Sequence, residues 1–176
     1  RAFAEAGLPG GRLLIVGDGS ERRRLERLAG DRVLFAGFRR DVKDFYQAFD
    51  LFVCPSSYEP FGRVIAEALD AGVPVVAADS EGPRDIARRC PVELVTADDV
   101  AALAASLRRH AAAGRVRVHT DLSEFSLERT AERMEDAYRA VLETLRPTLA
   151  TASGAAAPRV LFAPVTGPGG AGELMR

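Results

Sequence analysis

Short, continuous apolar runs recurring between charged, helix-patterned segments constrain this chain more than any other feature. Leu13-Leu14-Ile15-Val16 does not alternate with polar residues, the mark of a strand buried on both faces. Val33-Leu34-Phe35, Leu51-Phe52-Val53 and Val73-Pro74-Val75-Val76-Ala77 repeat the pattern, and Glu93-Leu94-Val95 is a weaker fifth run. Helices are expected between them. Residues 21–29 have Ser20 as N-cap, residues 41–49 have Asp41, residues 62–71 end at Gly72, and a short helix follows Gly82-Pro83. Two longer amphipathic helices are expected over residues 98–113 and 126–145. Strands and helices alternating at this spacing imply an α/β fold, a Rossmann-like parallel sheet with helices on both faces. Ligands of such sheets gather beyond the carboxyl ends of the strands. The loops at residues 17–20, 37–40, 55–62 and 78–83 lie there, and function is sought in them.

Composition removes several other classes. At 47% apolar and 28% charged residues the chain is globular rather than disordered or collagenous. No apolar run approaches the roughly 20 residues that cross a bilayer. The two cysteines, Cys54 and Cys90, have no metal-ligand spacing, which suits a reducing compartment and no structural zinc. With 24 basic against 25 acidic residues and a pI near 6.2, nucleic acid is not expected as a partner. The chain opens without methionine on what reads as the end of a helix, and closes on what reads as the start of another. The expectation is a piece of a longer protein.

Gly17-x-Gly19 after a strand invites a dinucleotide reading, but the third glycine of that fingerprint falls on Arg22 and no acidic residue ends the next strand. A tight strand-to-helix turn explains the pair as well. The loop Ser56-Ser57-Tyr58-Glu59-Pro60-Phe61-Gly62-Arg63-Val64 is more informative. Its strand delivers an acidic loop into a helix whose first-turn amides favour an anion such as a diphosphate. Gly62 lets the backbone approach a ligand with no side chain between. Glu59 precedes that turn and can accept from ligand hydroxyls. Glu67 lies a little over two turns further on, at about 3.6 residues per turn, and a carboxylate there can take two adjacent ribose hydroxyls. The bland alternative is a solvated Glu59 and a Glu67 paired with Arg63 across one turn. Spacing alone leaves both readings open.

Glu59-Pro60-Phe61-Gly62 with Glu67-Ala68 resembles the Glu-x7-Glu signature of retaining nucleotide-sugar glycosyltransferases of the GT-B fold, enzymes with two facing Rossmann-like domains. Leu14-Ile15-Val16-Gly17-Asp18-Gly19, Val33-Leu34-Phe35-Ala36-Gly37-Phe38, Asp50-Leu51-Phe52-Val53-Cys54-Pro55-Ser56, and Gly72-Val73-Pro74-Val75-Val76-Ala77 with Gly82-Pro83-Arg84-Asp85 resemble further segments of that family, in order. The resemblance covers residues 1–145 and implies a donor-binding, C-terminal half of the fold. It implies that Glu59 is the catalytic carboxylate contacting the transferred sugar. The amides at Phe61, Gly62 and Arg63 would face sugar and diphosphate, Val64 would pack near the ribose, and Glu67 would hold its hydroxyls. The Gly17 and Gly19 turn and the backbone at Phe38 and Arg39 would complete the donor site. The donor is a UDP- or GDP-sugar, transferred with retention to a glycan or lipid-linked acceptor. No metal or other cofactor is implied, because positive side chains and the helix end stabilise the leaving diphosphate.

Departures from the family pattern matter as much. Its donor domain begins with a strand and a cationic Gly-Arg…Lys loop, and neither is present ahead of Leu13. That strand would be central, between residues 13–16 and 51–53. The acceptor-binding N-terminal domain is the expected missing partner, and the chain by itself is expected to be inactive. Residues 146–158 read as a linker, and residues 159–176 as the start of a second glycosyltransferase module. In a bolder alternative, residues 160–163 fill the place of the missing strand. A cytoplasmic location follows from the family, with peripheral attachment to the inner membrane face left open. The rival functions are a sugar-nucleotide epimerase and a non-catalytic nucleotide-binding module. His110 and His119 read as solvated, Arg84 as phosphate-binding or paired with Asp85 or Glu81, and residues 21–26 as a wet helix face.

Overall fold

Each apolar run becomes a strand in the computed structural model of the chain, which describes residues 1–151. The strands are β1 (Leu13–Val16), β2 (Val33–Gly37), β3 (Phe52–Cys54), β4 (Val75–Ala78) and β5 (Val92–Val95). The helices are α1 (Ala2–Ala6), α2 (Arg22–Leu28), α3 (Val42–Ala48), α4 (Arg63–Asp70), α5 (Glu81–Ala87), α6 (Val100–Ala113) and α7 (Leu127–Thr151). All strand pairs are parallel, as helical crossovers require. The α/β, Rossmann-like reading therefore holds.

The strands form two ladders, β1-β2 and β3-β4-β5. A continuous sheet would need backbone donors and acceptors between β1 and β3, and none of the described residues supplies them. Residues 160–163, the sequence candidate for that place, lie outside the described residues, as do most of the expected linker and all of residues 159–176.

Residues 1–124 form one unit. Its main core lies around β4, whose four residues are all buried, with Val76 opposite Val53 on one side and Glu93 on the other. From α4, Ile65, Ala68 and Leu69 enter this core, joined by Tyr46 of α3 and Ile86 of α5. Cys54 and Cys90 are both buried in it as free thiols. A smaller cluster joins α1 to α6 through Ala2, Ala6 and Ala104. Arg108 reinforces it by donating to the carbonyl oxygens of Glu5 and Ala6, at the negative end of α1.

Two expected caps fail for local reasons. The second helix begins at Arg22 with Glu21 as N-cap, which leaves Ser20 outside the capping position. Asp41 does precede α3, but its carboxylate is held by Arg39 rather than by first-turn amides. By contrast Asp99 caps α6 through the Ala102 amide at 2.8 Å.

The described residues from Phe125 onward fall in a second unit. The Ser126 hydroxyl accepts from the Arg129 amide at 3.1 Å ahead of α7. The helix then continues through Pro147 to Thr151, past the residue 145 end read from the sequence. Proline's φ already suits a helix, so its cost there is a lost backbone hydrogen bond. Among the described residues no helix is long and apolar enough to cross a membrane.

Candidate functional site

The chain leaves β3 at Cys54, crosses the acidic loop and enters α4 at Gly62. Two constraints make residue 62 a glycine. Its φ is +71°, in the left-handed region, and a Cβ there would lie 2.8 Å from Ile86 Cδ1 and 3.3 Å from Ile65 Cδ1. The start of α5 supports the same loop from below. Gly82 donates its N–H to the Glu59 carbonyl oxygen at 2.9 Å. A Cβ on Gly82 would come within 2.6 Å of that oxygen and 2.7 Å of the Phe61 nitrogen, both backbone atoms. Glycine at residue 82 is thus what lets α5 touch the loop.

Glu59 is half-buried, and its Oε1 accepts from the amides of Gly62 at 2.9 Å and Phe61 at 3.3 Å. A carboxylate sits against the positive end of α4, which the aligned peptide dipoles favour. The sequence reading gave these amides to a sugar and a diphosphate; in the structure they hold an anionic group of the chain itself. Arg63 and the side chain of Phe61, the latter 77% exposed, project from the helix start, and Val64 is partly exposed beside them.

Glu67 is half-buried on α4 and its Oε2 accepts from the Tyr46 hydroxyl at 3.1 Å. The carboxylate is engaged by that phenol rather than by Arg63. Tyr46 itself is buried, and burial, followed by the neighbouring Glu67 carboxylate, pushes its hydroxyl well above the ordinary tyrosine range. Burial also raises the Cys54 thiol at the end of β3.

The loops after β1 and β2 form a second cluster. The Gly17 N–H donates to the Gly37 carbonyl at 2.8 Å, and the Gly19 N–H to Asp18 Oδ1 at 2.9 Å. Arg22 ties Asp18 to Glu26 on an exposed helix face, as the charge pattern of residues 21–26 implied. Phe38 is 73% exposed. The Arg39 guanidinium is held by both oxygens of Asp41 at 3.2 Å and lies over the Phe45 ring at 5.2 Å. Among the described residues no hydrogen bond or ion pair joins this cluster to the Glu59–Glu67 segment.

Two side readings change. Arg84 pairs with Asp79, at 2.9 Å, rather than with Asp85 or Glu81. His110 is not simply solvated, because its Nε2 lies 3.0 Å from Glu93 Oε2, beside Arg109 on the same carboxylate. That links α6 to β5. Sequence reasoning missed Tyr46, since an aromatic residue on the inner face of a short helix reads as core. It named Gly82 as the lead into a short helix and within a resembling segment, and only the packing shows what the residue does.

A family model described as glycosyl transferases group 1 matches residues 3–113. LpsE of Rhizobium meliloti (strain 1021), a lipopolysaccharide core biosynthesis glycosyltransferase, is 49% identical over 86 residues, 46% of this chain and 25% of LpsE. A GDP-mannose-dependent alpha-mannosyltransferase of Mycobacterium tuberculosis (strain CDC 1551 / Oshkosh) is 43% identical over 77 residues, 43% of this chain and 20% of the relative. Among solved structures, Anabaena HepE in complex with UDP superposes with a TM-score of 0.57 at 30% identity, over 65% of this chain and 35% of HepE. The chain thus spans between about a fifth and a third of the length of these proteins.

Proposed function

This chain belongs to the glycosyl transferases group 1 family, and we propose that its Glu59–Glu67 segment binds the nucleotide-activated sugar donor of a sugar-transfer reaction that retains anomeric configuration. The observation that carries the reading is a pair of carboxylates at one short helix, Glu59 held by the amides that lead into it and Glu67, on the helix, held by a buried phenol. A diphosphate oxygen placed where Glu59 Oε1 now accepts would take the Phe61 and Gly62 amides. It would also release Glu59 toward the hydroxyls of the transferred sugar. The exchange swaps one anion for another at the helix end, so the favourable dipole is kept throughout.

One turn further on, Val64 gives an apolar surface for the ribose, and Glu67 has an oxygen free of the Tyr46 bond to accept from the ribose diol. Phe38 offers an exposed ring, and the Phe38–Arg39 backbone polar groups, for the nucleobase. Negative charge growing on the departing diphosphate would be stabilised by the amides at Phe61, Gly62 and Arg63 and by the Arg63 cation. The acceptor would be a glycan or lipid-linked glycan, held by an acceptor-binding domain beyond this chain. The lipopolysaccharide role in the name of LpsE supports that acceptor class.

Titration calorimetry of the 176-residue chain with UDP and with GDP tests the reading. One of the two nucleotides binds, and Glu67→Ala weakens it by about 10- to 100-fold, the loss expected for hydrogen bonds to a charged acceptor. Equal affinity of the Glu67→Ala variant, or no binding of either nucleotide at millimolar concentration, overturns it.

A further inference from the structure

The phenol behind Glu67 points to a residue that the donor-site reading leaves out. We propose that Tyr46 is a positioning residue that presets the Glu67 carboxylate for a ribose diol, so that it acts on the nucleotide through Glu67 without touching it. The proposal rests on the donor-site reading of Glu67.

Three observations carry it. First, the ring cannot easily turn. It is 2% exposed and meets Phe49 and Phe52 edge to face, with centroids 5.9 and 5.5 Å away, one ring from the end of α3 and the other from β3. Second, the hydroxyl points out of that packing at Glu67 Oε2, 3.1 Å away, across 21 residues of sequence. Third, burial and the adjacent carboxylate keep the phenol protonated far above neutral pH, so it serves as a donor and Glu67 as acceptor.

A free glutamate has three rotatable side-chain bonds and loses their freedom when it binds a diol. Here one oxygen is already held, so much of that ordering precedes binding. The remaining lone pairs of the carboxylate are left for two adjacent hydroxyls. A phenylalanine at residue 46 would fill the same core volume without a polar atom to bury, and the tyrosine hydroxyl therefore has a job that packing alone does not explain.

The test measures UDP, GDP and their 2′,3′-dideoxy analogues on the full chain, the Tyr46→Phe and Glu67→Ala variants, and the double variant. Tyr46→Phe is expected to weaken the ribonucleotide that binds by roughly 5- to 20-fold and to change its dideoxy analogue by less than about twofold. In the Glu67→Ala background it is expected to change neither. A folding defect would lower both nucleotides together, and so the dideoxy comparison separates positioning from damage to the core. Equal losses for both nucleotides, no loss for the ribonucleotide, or an undiminished effect in the Glu67→Ala background overturns the role of Tyr46. If Glu67→Ala itself leaves ribonucleotide affinity unchanged, the donor-site reading fails first. If it weakens binding and Tyr46→Phe does not, only the positioning role fails.

Discussion

The two ladders of the first unit are built from similar strands and bear very different loads. In the β3-β4-β5 ladder the central strand is wholly buried, and Ile65, Leu69 and Ile86 reach it from two helices. In the β1-β2 ladder every residue of β1 is only half-buried, Leu34 of β2 is exposed, and α2 buries none of its residues. Both ladders carry candidate site loops, but only the first braces its loop against a core. Glu59 and Glu67, the carboxylates of the proposed donor site, are on the braced side. The Gly17–Gly19 turn and the Phe38–Arg39 loop are held by a few exposed ion pairs and backbone bonds.

The widest gap should appear in core truncation. Ile65→Ala removes a side chain that is 0% exposed and is expected to cost about 2–5 kcal/mol. Leu28→Ala, at a residue 69% exposed on α2, is expected to cost no more than about 0.5 kcal/mol. Urea unfolding of the two variants measures the difference, and similar losses would break the contrast between the ladders.

Glycine substitution sharpens the contrast at the backbone. Gly82→Ala pushes a methyl against backbone atoms of Glu59 and Phe61 that cannot swing aside, and about 1–3 kcal/mol of destabilisation is expected. Gly30→Ala, beside β2, meets nothing within 4 Å and is expected to be neutral within about 0.5 kcal/mol. Thermal melts of the two variants rank them, and a neutral Gly82→Ala would mean that α5 does not brace the loop.

The smallest effect is alkaline. Tyr46 ionises from an ordinary value of 10.0 in the unfolded chain and only at higher pH when folded. Above about pH 10 the unfolded state then binds fewer protons, so stability falls as pH rises, while below that value it is unaffected. The buried thiols Cys54 and Cys90, also raised by burial, add to the loss from an ordinary value of 9.0. All three residues lie in the core around β4, and the β1-β2 segment contains neither tyrosine nor cysteine. Urea midpoints near neutral pH and above pH 10 should show a shallower alkaline loss in Tyr46→Phe than in the parent. An identical loss would remove Tyr46 from the groups whose titration costs the core stability.

Much of this could be read in the chain. Leu13–Val16 and Val73–Ala77 announce strands because a run with no polar alternation suits a strand covered on both faces. Glu59, Gly62 and Glu67 could be placed at one helix start because their spacing is local, within one loop and one helix. Caps were less legible, since Ser20 and Asp41 depend on a one-residue shift in helix start and on a competing arginine. The partner of Arg84 was misread for the same reason: several carboxylates lie within reach and only geometry selects Asp79.

The sequence by itself determined the order of strands and helices, the end of the sheet that carries the loops, and which residues open α4. These follow from periodicity and local backbone preference, which act over a few residues. Tertiary structure alone decided that Tyr46 meets Glu67, that Gly82 must lie under Glu59, and that the two ladders differ in burial. Each of those depends on contacts between residues far apart in the chain, where packing distance rather than local pattern sets the outcome.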